Sequence, residues 1–182
     1  MPTNIDYLYV ISQIAVLVAY GFLAWSYLLK TQKNIIIVGF ASLIFQAIAF
    51  FLLGAWTGLL MCAVAAVRNL VRWHAETKGS SFGTSKPFFI LVLLLIAAVT
   101  VPFYDGFLSL MSVFATSVYS YSVWQKKPSI YKLCGIPVGI LWTIYNLFIG
   151  SLFAWILEAA LLVFVIVGII KDWRQGKLNE SH

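Results

Sequence analysis

The chain has 182 residues, 62% of them hydrophobic and 10% charged, with a mean hydropathy of +0.95. A soluble domain of this size carries roughly a quarter of its residues as charges to coat its surface, so the composition excludes one and indicates a membrane protein. The net charge of +6 raises nucleic acid as a partner, but the placement of the charges removes that need.

A helix needs about 20 apolar residues to cross a hydrocarbon core about 30 Å thick. Seven such runs follow one another, at about 7–29, 34–53, 55–73, 87–103, 107–124, 130–149 and 151–170. The leader "MPTNIDYLYV" carries Asp6 and no Lys or Arg. A cleavable signal starts positively charged, so the first run is read as a retained helix. "KTQKN" breaks the first run from the second, a lone Gly54 the second from the third, "YDG" the fourth from the fifth, "QKKPS" the fifth from the sixth, and Gly150 the last two. Only "ETKGSSFGTSK", after the third run, has a loop's composition, and its Gly, Ser and Lys content predicts a flexible linker. The fourth run is the shortest and holds Pro102 near its end. Cys62 and Cys134 fall inside apolar runs and are read as buried thiols without a disulfide.

Lys and Arg concentrate on cytoplasmic loops. With seven runs, all 12 of them fall on one side, from Lys30 and Lys33 to Lys171, Arg174 and Lys177, while the other side holds only Asp6 and Asp105. This predicts an external amino terminus and a cytoplasmic carboxyl terminus. Topology and attraction to anionic lipid account for the basic charge, so the bilayer is the expected partner and nucleic acid is not.

Shifting the chain by 96 positions pairs Ser26 with Ser122, Lys30 with Lys126, Gly39 with Gly135, Ile44 with Ile140, Gly54 with Gly150, Ala63 with Ala159 and Val67 with Val163. The register needs no gap and preserves loop position, loop charge and turn glycine. The expected fold is an all-α polytopic bundle of seven transmembrane helices in a parallel 3+1+3 repeat. Residues 1–76 form the first three-helix repeat, 77–104 a linker loop and linker helix, 105–172 the second repeat and 173–182 a cytoplasmic tail. Parallel repeats of this kind occur in transporters, with the solute site near the midplane between them.

Within these runs a few polar residues stand out. Glu158 lies eight residues past Gly150, about 12 Å along a helix rising about 1.5 Å per residue, and hence near the bilayer centre. Ionisable residues at such depth face a bundle interior or cavity and mark solute or proton pathways; the alternative is an interhelical hydrogen-bond staple. Arg68, fourteen residues past Gly54, leans toward the start of its helix and is the expected partner of Glu158, unless it snorkels to the cytoplasmic interface. Trp142 and Asn146 are four apart on one helix face and offer an amide and an aromatic surface to a small polar or planar solute. Asn69 and Gln46 are candidates to line the same cavity from the first repeat, or routine bundle hydrogen-bonders. His74 and His182 belong to no ligand cluster, and no nucleotide, phosphate-loop or nucleophile motif is present. No metal, cofactor or catalytic function is expected.

The stretches "GILWTIYNLFIGSLFAWILEAALLVFVIVGIIKDWR" and "LLGAWTGLLMCAVAAVRNLV" resemble the YgjV-type bacterial inner-membrane proteins, with Trp142, Asn146, Gly150, Ser151, Glu158 and the Arg68 position carrying the likeness. That resemblance implies a location in the bacterial inner membrane. More distantly, "WTIY" followed by a short turn and an apolar helix is similar to the sixth and seventh helices of the SWEET (MtN3/PQ-loop) transporters. These also have three-plus-one-plus-three helices with the amino terminus outside. Where those transporters place a pocket asparagine on each repeat's third helix, the corresponding positions here are Cys62 and Glu158, so the pocket chemistry differs. Together these readings lead to a small-solute transporter or facilitator working by alternating access, with a small polar solute or a proton as its cargo. The rival is a non-transporting membrane protein, an assembly partner or sensor, whose buried polar residues are structural.

Overall fold

A computed structural model describes residues 7–29, 32–104, 106–125 and 128–174. The charged positions Asp6, Lys30, Asp105, Lys126, Lys127 and Lys177 and most of the expected tail lie outside the described residues. The described residues form seven α-helices: α1 (Tyr7–Leu28), α2 (Gln32–Leu52), α3 (Trp56–Thr77), α4 (Lys86–Thr100), α5 (Gly106–Trp124), α6 (Pro128–Phe148) and α7 (Leu152–Arg174), with short 3-10 turns at Phe82–Thr84 and Val101–Phe103. Four of them contain stretches long and apolar enough to cross a membrane: Tyr7–Ser26, Lys33–Leu52, Lys86–Phe103 and Gly106–Trp124. In α6 and α7 the qualifying apolar stretches are shorter, at Leu133–Phe148 and Leu152–Val167. In α3, Arg68, Asn69 and Arg72 interrupt the second half.

The two tightest breaks are built alike. Gly54 and Gly150 adopt φ of 67° and 73°, a left-handed conformation that costs glycine least. In the first turn the Ala55 N–H donates to the Phe50 carbonyl at 2.9 Å and the Gly54 N–H to that of Phe51 at 3.1 Å. In the second, the Ser151 N–H donates to the Asn146 carbonyl at 3.0 Å and the Gly150 N–H to that of Leu147 at 3.2 Å. Both are Schellman closures, which satisfy the last carbonyls of the preceding helix. Such a closure reverses the chain within a few residues, so α3 returns beside α2 and α7 beside α6.

Near the third break the sequence expectation needs correction. Helix α3 continues through Glu76 and Thr77, and the rest of the expected flexible linker is tied down. Gly83 is buried where an added Cβ would stand 3.1 Å from Arg72 Cδ and 3.2 Å from Ala75 Cβ. Trp124 Nε1 donates to the Thr84 carbonyl at 2.8 Å. Ser85 then caps α4 by accepting from the Phe88 N–H at 3.3 Å, and Pro87 follows in the first turn, where its missing N–H costs nothing. At the other end α4 stops at Thr100, earlier than the apolar run, because Pro102 lies in the 3-10 turn that follows.

Packing runs α1 on α2, α2 on α3, α3 on α5, α5 on α6, α6 on α7, and α7 back on α1. Six helices thus close a ring, and α4 lies outside it against α3 and α5. Small residues let the helices approach: Ala19, Ser12, Ala115, Ser109 and Ser112 are fully buried, as expected where lipid supplies no hydrophobic drive between helices and packing must do so. Large apolar side chains point outward instead, with Leu94 and Phe114 each 62% exposed and Phe107 65%. An apolar exterior of this extent requires lipid around it.

Candidate functional site

Within the ring lies a cavity of about 820 Å³, lined by residues from α1, α2, α3, α5, α6 and α7 and by none from α4. Its volume falls within the roughly 300–1,000 Å³ typical of small-molecule sites. Most of the wall is apolar; the polar groups are few and converge from different helices.

Four of the six candidate residues meet there: Glu158 from α7, Asn146 and Trp142 from α6, and Gln46 from α2. Glu158 Oε2 accepts a hydrogen bond from the Tyr20 hydroxyl of α1, which joins the two helices that close the ring. On the other side of the cavity, Gln46 Nε2 donates to Ser42 Oγ at 3.2 Å, and Ser42 Oγ donates to the Ala19 carbonyl at 2.8 Å. Cys62 Sγ lies 4.0 Å from Gln46 Oε1. The indole of Trp142 is fixed by its neighbours, with its ring centroid 5.9 Å from Phe50 and 5.2 Å from Tyr145. Asn146 is buried, and its Oδ1 has no hydrogen-bond partner among the described residues; the same holds for Thr116 Oγ1 on α5, also on a lining residue.

Arg68 and Asn69 do not line this cavity. Arg68 Nη1 donates to Ser120 Oγ of α5 at 2.6 Å, and its Nε and Nη2 donate to Asn69 Oδ1 at 3.2 and 2.9 Å. Its guanidinium carbon stands 4.7 Å from the centroid of the Tyr119 ring. Ser120 Oγ in turn donates a hydrogen bond to the Thr116 carbonyl at 2.6 Å. Asn69 sits in the contact with α2, where a Cβ added at Gly39 would stand 3.6 Å from its Nδ2. The expected pairing of Glu158 with Arg68 is therefore not the arrangement found. Its physical reason is the ring order: α3 packs on α2, α4 and α5, whereas α7 packs on α6 and α1, so the two charges face different neighbours. Arg68 does not snorkel either, being only 4% exposed.

At the opposite end of the bundle, two polar side chains hold the helix starts after the tight turns. The Tyr145 hydroxyl of α6 accepts from the Gly58 N–H at 2.9 Å and lies 3.1 Å from Thr57 Oγ1, both in the first turn of α3. Gln13 Oε1 of α1 accepts from the Phe153 N–H at 3.0 Å in the first turn of α7. Each supplies a partner for an orphan donor of a helix amino terminus.

Sequence reasoning did not single out Tyr20, Thr116, Tyr119, Ser42 or Gln13. A tyrosine in an apolar run is indistinguishable from a headgroup-level aromatic until a neighbouring helix supplies its partner. One signal was available for Thr116: it stands 96 positions after Tyr20, so the repeat register places both at one level.

Apolar helices closed around a mostly apolar hollow with a few polar groups define an integral membrane protein of the helical class. The chain belongs to the Imp-YgjV family of bacterial inner membrane proteins, whose model matches residues 10–176. No curated protein and no solved structure shows a significant match to the chain.

Proposed function

We propose that this protein is a small-solute transporter or facilitator of the inner membrane, with seven spans in a 3+1+3 arrangement and alternating access to the central cavity. The observation that carries this reading is Glu158, a carboxylate on the wall of a cavity of about 820 Å³ at the centre of the helix ring. A buried ionisable group in an apolar bundle is costly and marks a pathway more often than a scaffold.

The repeat gains support from positions 96 apart. Tyr20 and Thr116, Gly39 and Gly135, Gln46 and Trp142, and Cys62 and Glu158 all line the cavity. The same shift carries the α3–α5 contact onto the α7–α1 contact and one Schellman turn onto the other. A cavity on such an axis is where parallel-repeat transporters bind solute. With the amino terminus outside, as the charge pattern argues, the Gly54 and Gly150 turns face outward and the Arg72 end of α3 faces the cytoplasm. In this reading Glu158 supplies charge or proton coupling, and Asn146, Trp142 and Gln46 shape the solute site. Arg68 and Asn69 hold α3 to α5 and act on the cavity through Tyr119. No covalent chemistry is involved.

The rival is a non-transporting assembly partner or sensor, and the pairing of Arg68 with Asn69 and Ser120 is the observation that favours it. Purified protein in liposomes separates the two. Solute or proton flux present in wild type and lost in Glu158→Gln supports transport; no flux difference for any solute or for protons leaves the assembly reading standing.

A further inference from the structure

We propose that the solute is a small organic cation, a primary ammonium on an apolar or aromatic body. This deepens the transport reading and rests on its premise that the cavity is a solute site. Three hydrogen-bond acceptors belong to side chains that line the hollow. Glu158 Oε2 accepts from Tyr20; its Oε1 has no partner among the described residues and lies toward α6, where a Cβ added at Gly139 would stand 3.8 Å away. Asn146 Oδ1 and Thr116 Oγ1 are also without partners there, on side chains 2% and 3% exposed. Buried polar atoms in native proteins are nearly always hydrogen-bonded, so unpartnered acceptors on residues that line a cavity point to a ligand that supplies donors once a small side-chain rotation turns them to it. An ammonium brings three N–H donors and no acceptor.

Charge and surface agree with this chemistry. Glu158 is the one lining side chain with a formal charge among the described residues. The rings of Tyr20, Trp25, Tyr119 and Trp142 also line the wall, and aromatic faces attract cations where water is displaced. The nearby cation, Arg68, lies outside the lining and engages Asn69, Ser120 and one approach to the Tyr119 ring. Its field opposes a cation at the α5 wall, which directs the ammonium to the α6–α7 side, where Glu158 and Asn146 stand. The apolar remainder of the wall accommodates the solute's body.

The test uses the full-length protein in detergent, titrated with 2-phenylethylamine and with its neutral isostere 2-phenylethanol, following affinity by calorimetry and stability by melting temperature. The amine should bind about tenfold tighter than the alcohol, as expected of a paired and partly desolvated ammonium, and Glu158→Gln should bring the amine down to the alcohol's level. Asn146→Ala should weaken the amine severalfold and the alcohol less, which keeps the test decisive if Glu158→Gln fails to fold. Equal binding of amine and alcohol to wild type overturns the proposal, as does stabilisation by D-glucose but not by the amine, or an amine affinity untouched in a folded Asn146→Ala. Those results leave transport of another solute open. Amine binding without amine flux in liposomes sustains the cation site and removes the transport reading instead.

Discussion

Two polar clusters are set in the same apolar bundle, and they are handled in opposite ways. Around Arg68 the guanidinium is closed in by Asn69, Ser120 and the Tyr119 ring, and the contact joins two halves of the ring. Around Glu158 one carboxylate oxygen is held by Tyr20 while the residue borders a large cavity whose lining residues Asn146 and Thr116 carry acceptors without partners among the described residues. Ionisable residues in one kind of helix thus stand in two surroundings, which the proposed reading takes as a fastener and a site, and what separates them is whether neighbouring side chains saturate their hydrogen bonds. Sequence position alone does not carry that distinction.

The sharpest break in this comparison is at the fastener. Arg68→Met should destabilise the folded protein by about 3 kcal/mol, because Asn69 Oδ1 and Ser120 Oγ lose a charged partner in a buried place. The melting temperature in detergent checks it. Gly58→Ala comes next: the added Cβ would lie 2.8 Å from the Tyr145 hydroxyl and 3.1 Å from the Phe50 ring. Its expected cost is about 2 kcal/mol, from overpacking and a disturbed helix start. Smaller still are Gly54→Ala and Gly150→Ala. Each imposes a left-handed conformation on alanine and should cost about 1 kcal/mol; the two values should agree within about 0.5 kcal/mol if the turns are equivalent. At the bottom stands Glu158→Gln, which keeps an acceptor for Tyr20 and should change stability by less than about 1 kcal/mol. A larger loss there than at Arg68 would reverse the assignment of the two clusters.

Much of the fold was legible because the bilayer makes element length a compositional fact. The apolar runs anticipated all seven helices, and Gly54 and Gly150 were recognisable as turns because each is the sole break in a continuous apolar stretch. Helix ends were less legible. Nothing in the alternation of residues shows that Glu76 and Thr77 remain helical or that "SSFGTSK" docks on Arg72 and Trp124, because those contacts come from α3 and α5 together. The candidate site was legible in part. Glu158, Asn146 and Gln46 were found as polar residues in apolar surroundings and Trp142 by sharing a helix face with Asn146, and the four share one cavity. The partnership of Glu158 with Arg68 was inferred from depth along the helices, and depth ignores which helices are neighbours. Ring order decides that, and it gives Glu158 the hydroxyl of Tyr20 instead.

The central claim is that the Glu158 carboxylate works on a solute while the Arg68 guanidinium holds the bundle together. The most direct measurement follows flux and melting temperature in the same preparations of wild type, Glu158→Gln and Arg68→Met in liposomes. The account predicts that Glu158→Gln loses flux and melts within about 2 °C of wild type, while Arg68→Met melts well below both. A Glu158→Gln protein that transports as wild type does, or that melts as low as Arg68→Met, contradicts it.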